Sequence, residues 1–262
     1  MTWETVRVEG EGPVRILSLN RPRVRNAINA QLLKDLADAC TWLERQPDCR
    51  AVILRGEGPD FCAGADLKEG LTHGGPLAGR VGRARLGRRA VQILGDMAPV
   101  TIAAVQGHAI GGGACLAAAC DFRLGARSAK VGLREVSLGL SLSWQCIPNI
   151  VHLVGPSRAR ELILFGEQHS AERMESFGYF NALTDDATLM AEAERLAARV
   201  ASQPPLPVQM AKASIRAVTH ALDRATAHLD DYGLGLTGGT RDAARARDAF
   251  FSGNPVDPFE QE

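Results

Sequence analysis

MAPVTIAAVQGHAIGGGACLAAAC (residues 97–120) is the stretch whose reading decides the fold. Its 24 residues carry no charge, about the length of a membrane span. However, Pro99, Gln106, His108 and four glycines interrupt it, and much of the remainder is alanine. Such a run predicts a buried strand over 101–106, a turn at GHAIGGG and a small-residue helix through 119, and no span. Just outside it, residues 121–124 and AVILR (51–55) read as further short, buried strands. Residues 5–9 and 14–19, separated by GEG and Pro13, read as a hairpin. Asn29 is placed to cap a helix through about 45, with an apolar stripe at Leu32, Leu33, Leu36, Ala39 and Cys40, and Pro47 ends it. Residues 56–75 are loop-rich and 76–97 read as helical. Strands alternating with helices predict an α/β architecture with a partly parallel sheet.

Beyond Ser143 the pattern becomes all-helical. Helices are expected at 147–154, 158–165 and 171–177, closed by Gly155, Gly166 and Gly178. Further helices are expected at 186–202, 207–222 and 239–251, broken by Pro204–Pro205 and by the glycines between 233 and 239. The division expected is a core over 1–190 and a helical C-terminal region over 191–262. No internal repeat is visible at the residue level.

The 262 residues fit one large domain or two small ones. A hydrophobic share of 45% with 23% charged residues excludes a disordered chain. The 30 basic residues balance 30 acidic ones, which argues against nucleic acid as a general partner. The five arginines at 80, 83, 85, 88 and 89 form the one basic cluster and read first as a solvated helix face, next as a contact for coenzyme A phosphates and last as an RNA-binding patch. Six cysteines without a C-x-x-C pair, and six scattered histidines, give no metal site and predict reduced thiols. His108 is assigned a structural role. The opening MTWETVRVEGEGPV has no basic n-region or apolar h-region, so no signal peptide and a cytoplasmic location are expected.

Between Met97 and Arg160 only two carboxylates occur, Asp121 and Glu135. Glu135 sits in VGLREVSLGL, and apolar surroundings raise a carboxyl pKa toward that of a neutral-pH acid or base. Pairing with Arg134 or another arginine is the plainer alternative. In GHAIGGG, three glycines at a helix start allow another group to approach free N–H donors at the positive end of the helix, as an anion or oxyanion site requires. Tight packing is the alternative. DFCAGADLK (60–68) offers a further backbone N–H at Gly64 or Ala65, or simply an Asx turn at Asp66.

GEGPDFCAGADLKE (56–69), PVTIAAVQGHAIGGG (99–113), CDFRLG (120–125) and KVGLREVSLGL (130–140) together resemble the enoyl-CoA hydratase/isomerase family, the crotonase superfamily. LNRPRVRNAIN (19–29) resembles its N-terminal signature, and ARDAFFSGNPVDPF (246–259) its C-terminal helix and tail. The six matches are in order and cover nearly the whole chain. The resemblance implies a spiral of ββα units with a helical C-terminal trimerisation region, a homotrimer or hexamer, and coenzyme A thioester substrates, with no cofactor beyond the coenzyme A of the substrate. By position it implies Ala65 and Gly112 as oxyanion-hole N–H donors and Glu135 as acid/base. It also places the backbone around Arg25, Ala27, Ala63, Asp66, Leu67 and Lys68 along the coenzyme A adenine and pantetheine.

The chain departs from the family's hydratases in one respect that bears on chemistry. Those carry a first glutamate shortly after the glycine run, where this chain has Cys115. Hydration divides work between two carboxylates, whereas moving a double bond from the 3- to the 2-position needs one base that takes a C2 proton and returns it at C4. Single-glutamate relatives that the chain resembles are Δ3,Δ2-enoyl-CoA isomerases. Isomerisation is therefore expected, with enoyl-CoA hydration in fatty-acid or related acyl-CoA breakdown as one alternative and a non-catalytic CoA- or RNA-binding protein as another. Leu142-Ser143-Trp144-Gln145-Cys146 replaces the hydratases' glycine-rich turn, and Trp144 reads as either an acyl-pocket wall or a core residue. No carboxylate falls in 136–160, where dienoyl-CoA isomerases carry an extra aspartate.

Overall fold

Strands β1 (Val6–Glu9) and β2 (Val14–Leu19) form the expected antiparallel hairpin, with Val6 opposite Leu19. The Asn29 side chain accepts the Leu32 N–H at 2.9 Å and starts α1 (Ala30–Glu44), whose Leu32, Leu33, Leu36, Ala39, Cys40 and Leu43 are buried. Then come β3 (Ala51–Gly56), α2 (Leu77–Asp96), β4 (Val100–Val105), β5 (His108–Ile110), α3 (Gly112–Ala119), β6 (Phe122–Ala126) and β7 (Lys130–Gly132). They are followed by α4 (Cys146–Phe165), β8 (Gln168–Ser170), α5 (Ala171–Ser176), β9 (Ala182–Thr184), α6 (Leu189–Ala201), α7 (Pro205–Thr219), α8 (Asp223–Thr237) and α9 (Arg241–Ser252). This computed structural model describes residues 1–70, 72–254 and 259. Residues 255–258 of the C-terminal motif lie outside the described residues.

The main sheet has the order β1-β2-β3-β4-β6-β9 and is parallel from β2 onward. Its central strands are covered on both faces, which is why AVILR and VTIAAV read as continuous apolar runs. A smaller sheet, β5-β7-β8, is continued by two isolated parallel bridges, Cys62 with Ala109 and Ile28 with Ala65. Four successive stretches of chain thus repeat one plan. Each gives a strand to the main sheet (β2, β3, β4, β6), an extended piece to the small ladder (Ile28, 62–65, β5, β7), and then a helix (α1 to α4). This is a spiral of ββα units whose repeat exists in the backbone and not in the residues.

Three expectations change. Of the glycines at 233–239, Gly233 and Gly235 do not break a helix but lie inside α8, and only Gly238, its C-cap, and Gly239 separate it from α9. They permit close packing instead: a Cβ on Gly235 would stand 2.6 Å from Val81 Cγ2, and one on Gly238 would stand 2.1 Å from the Thr72 carbonyl oxygen. The basic cluster is not a plain solvated face. Arg85 and Arg88 of α2 hold the buried Asp231 of α8 at 3.3 and 3.0 Å, and Arg80 donates to the Gly235 carbonyl at 2.6 Å. Arg83 donates to the carbonyls of His73 and Gly74, whereas Arg85 and Arg89 stay exposed at the surface. Finally, the boundary at 190 falls inside α6, whose Leu189, Ala193 and Ala197 are buried against Ile53 and Ile102 of the main sheet. The outer helical layer begins at α7, which buries none of its residues and exposes Leu206, Met210, Ile215 and Val218. No helix among the described residues is long and apolar enough to cross a membrane.

Asp231 is the charged anchor of α8 on α2, buried with only 4% of its side chain exposed. Replacing it by Ala strands Arg88 and unlatches the outer layer. Urea unfolding of Asp231→Ala is expected to show a loss of roughly 2–4 kcal/mol, near the cost of breaking a largely buried pair.

Candidate active site

Ala65 ends the ladder piece of one ββα unit, Gly112 and Glu135 follow those of the next two, and all three line one cavity of ≈ 280 Å³. Backbone bonds on both sides fix the loop that carries Ala65. On one side, Ala63 N–H donates to the Arg25 carbonyl (2.9 Å), Ile28 N–H to Gly64 (2.7 Å) and Asp66 N–H to Ile28 (2.8 Å). On the other, Cys62 N–H donates to His108 (2.8 Å) and Ile110 N–H to Cys62 (3.0 Å). The parallel bridge at Ile28 uses the groups of Gly64 and Asp66 and leaves the Ala65 N–H outside the ladder. Gly112 opens α3, where first-turn N–H groups have no helical acceptor. Among the described residues neither N–H donates a hydrogen bond.

The glycines serve close approach as well. A Cβ on Gly113 would stand 2.4 Å from the Cys62 carbonyl oxygen, and one on Gly64, at φ +91°, 2.7 Å from that of Ile110. Packing and free donors, set out above as alternatives, therefore coincide.

Glu135 precedes a single 3-10 turn (Val136–Leu138) after β7. Its Oε1 lies where a Cβ on Gly111 would come within 2.7 Å, so only glycine fits there. Its Oε2 is shielded from solvent and has no hydrogen-bond partner among the described residues. Burial lifts the carboxyl pKa from 4.5 to about 7, against a smaller lowering by its own backbone. The pairing with Arg134 is not formed; that guanidinium sits over the Phe250 ring, 5.9 Å from its centroid. Cys115 also lines the cavity. Burial and a hydrogen bond with Cys146 push its pKa well up, so it is a neutral thiol. All six cysteines are free and buried. Glu135 is the one carboxylate among the described residues lining the cavity.

Of the remaining residues singled out from the sequence, Arg25, Ala63, Leu67 and Trp144 line the cavity. Ala27, Asp66 and Lys68 do not. Asp66 forms the Asx turn, accepting Lys68 N–H at 3.2 Å, and pairs with Arg21 at 3.1 Å. Arg21 also donates to the Ala27 carbonyl, and Lys68 is exposed. Trp144 is both core and wall, for it is 4% exposed yet borders the cavity.

Sequence reasoning missed a polar cluster at the cavity mouth. Arg25 holds Asp60 through Nε–Oδ2 at 2.7 Å. His108 Nδ1 lies 2.6 Å from Arg25 Nη2 and 2.7 Å from Asp60 Oδ1, and its tautomer decides which of the two it serves. Burial works against the Asp60 anion, yet the bonds from Arg25 and His108 hold its pKa down to about 2. The three residues lie in three separate motifs of the sequence, and their meeting depends on Arg25 and Asn26 taking left-handed backbone (φ 55° and 56°).

The Glu135 shift predicts a sign for stability. A carboxyl raised from 4.5 to about 7 binds its proton more tightly folded than unfolded, so stability is present below pH 4.5 and lost as pH rises through 7. Glu135→Gln removes that cost. Thermal unfolding is expected to show the variant more stable than the parent by up to about 3 kcal/mol at pH 8, and little different at pH 4.

The profile of the family described as Enoyl-CoA hydratase/isomerase matches residues 9–252. The chain is 31% identical over 252 residues to the crotonyl-CoA hydratase of Syntrophomonas wolfei subsp. wolfei, covering 95% of this chain and 96% of that protein. It is 31% identical over 261 residues to the short-chain-enoyl-CoA hydratase of Clostridium acetobutylicum, with 99% of each covered. The structure of a Thermobifida fusca YX protein in complex with CoA superposes with a TM-score of 0.74 at 29% identity, over 86% of this chain and 91% of that one. With the profile and both relatives spanning nearly its whole length, the chain belongs to the enoyl-CoA hydratase/isomerase family, and its spiral of ββα units is the crotonase fold.

Proposed function

We propose that the chain acts on acyl-CoA thioesters and shifts an enoyl double bond from the 3- to the 2-position, with Glu135 as its only acid/base. The observation that carries this reading is that Glu135 is the one carboxylate among the described residues lining the cavity, which it shares with a neutral thiol at Cys115. The Glu135 carboxylate takes a proton from C2 of a 3-enoyl thioester. The C2–H electron pair moves toward the carbonyl and gives a dienolate, whose oxygen is met by the free N–H groups of Ala65 and Gly112. The same carboxyl then returns the proton at C4. Losing one such donor typically costs about 3–4 kcal/mol of barrier. Binding of the coenzyme A arm is assigned to the backbone around Arg25, Ala27, Ala63, Asp66, Leu67 and Lys68, and the CoA complex of the Thermobifida relative supports that class of ligand.

The second reading is hydration, favoured by the names of the Syntrophomonas and Clostridium relatives. Glu135 then positions a water, with Ser143, which also lines the cavity, as a further polar contact. Gln145 does not line it. The non-catalytic RNA-binding reading loses support, because four arginines of the basic cluster are engaged by α8 and the 73–75 loop. The apolar outer face of α7 supports assembly into a homotrimer or a dimer of trimers, which light scattering of the purified chain tests.

Assays on 3-enoyl-CoA and 2-enoyl-CoA separate the two chemistries. Conversion of the former to the conjugated 2-enoyl thioester is expected, rising with pH through about 7 as Glu135 ionises. Glu135→Gln is expected to lower it by about 10²–10⁴. Dominant formation of 3-hydroxyacyl-CoA from the 2-enoyl substrate would overturn the isomerase reading. Cys115→Glu, which restores a second carboxylate, is expected to raise hydration, and no gain counts against the single-carboxylate account.

A further inference from the structure

We propose that Trp144 sets the depth of the acyl pocket, that Asp230 of α8 is the positioning residue holding it there, and that the site in consequence takes short acyl groups. This rests on the acyl-CoA reading above.

Trp144 and Gln145 are consecutive residues in left-handed backbone, at φ 61° and 57°. For a side chain as bulky as tryptophan that conformation is a genuine outlier. The indole is wedged between α2 and α3: a Cβ on Gly87 would stand 1.9 Å from Trp144 Cε2, and one on Gly112 would stand 2.5 Å from Cζ3. Its Nε1–H is buried, with no acceptor among the described residues. A leucine or phenylalanine would fill an apolar slot without the unpaired donor. Backbone strain and a buried orphan donor on one residue, bordering the reaction cavity, mark a shape that is being held for use.

The hold comes from the C-terminal layer. Gln145 N–H donates to Asp230 Oδ2 at 2.7 Å, and both residues are buried. The adjacent Asp231 locks α8 onto Arg85 and Arg88, so the position of Asp230 is fixed from α2, the helix that also supplies the Gly87 slot. The cavity of ≈ 280 Å³ falls below the ~300–1,000 Å³ usual for drug-sized ligands. It has to hold the thioester and the end of the pantetheine arm as well as the acyl group, and Trp144, Cys115 and Leu142 contribute to its wall.

Calorimetric binding of butanoyl-, octanoyl- and dodecanoyl-CoA to the full chain tests this, alongside kcat/KM for enoyl-CoAs of the same lengths. The parent is expected to bind butanoyl-CoA at least tenfold more tightly than dodecanoyl-CoA. Trp144→Ala is expected to move that ratio at least tenfold toward the longer chain, and Trp144→Phe to fall between. Asp230→Ala should shift it in the same direction, whereas Asp230→Asn, which keeps an acceptor oxygen for Gln145 N–H, should restore the parent ratio. An unchanged ratio in both Trp144 variants, or a parent without chain-length preference, overturns the proposal and leaves the acyl-CoA reading standing. An unshifted Asp230→Ala removes Asp230 from it. If the parent binds none of the three thioesters, the acyl-CoA reading fails and this proposal with it.

Discussion

The structure depends on how closely the backbone of residues 62–66 passes between two neighbours. It is bonded to Arg25 and Ile28 on one side and to His108 and Ile110 on the other, with carbonyls approaching to distances that only glycine tolerates at Gly64 and Gly113. Three turns of the spiral are tied together there by main-chain bonds. Because the bonds are main-chain, they fix the positions of N–H groups to within a hydrogen-bond length, which side-chain packing does less strictly. Among the described residues, the N–H groups of Ala65 and Gly112 remain outside the ladder, where it ends and α3 begins. The donors are therefore by-products of the fold's own closure, held in place before any ligand arrives.

The outer helices contribute by a different interaction. α8 carries Gly233 and Gly235 where it meets the 141 turn and α2, so it packs at a short distance, and Asp231 supplies charge to the arginines that face it. Two arginines of the run, Arg85 and Arg88, are thus paired with an aspartate 146 and 143 residues away. The same helix delivers Asp230 to the Trp144–Gln145 turn. The C-terminal layer is consequently part of the cavity's architecture as well as a cover, and Leu234 and Phe250 reach the cavity lining from it.

Much of the core was legible because its signals are local. The capping Asn29, the apolar runs of β3 and β4, the glycine that kinks α4 at 155 and the glycines that end helices at 166 and 178 act within a few residues of themselves. Glu135 was legible for the same reason, as a lone carboxylate among apolar neighbours. What escaped depends on partners distant in the chain. The short strands β5, β7 and β8 have three residues each, too few to show a period, and exist because the ladder pairs them. The glycines of α8 look like breakers until α2 is placed beside them. The Asp60–Arg25–His108 cluster needs the left-handed turn at Arg25 and Asn26, and Asn26 holds that turn by donating to the carbonyls of Glu57 and Asp60 at 2.9 and 2.8 Å.

The protonation balance of Glu135 follows from two opposing physical effects. Its carboxylate lies against Gly111, the residue that caps α3, and the positive end of a helix favours the anion by about 0.3–1 kcal/mol, up to ~2 when partly buried. Burial disfavours the anion more strongly and prevails, bringing the pKa to about 7. A second ionised carboxylate at position 115 would add like-charge repulsion and lift it further. The neutral Cys115 thiol adds none, so burial, partly offset by the backbone, sets the value near neutrality. At such a value the proton is taken and given back with almost equal ease, which is the balance a single group needs when it serves as both the base and the acid of one reaction.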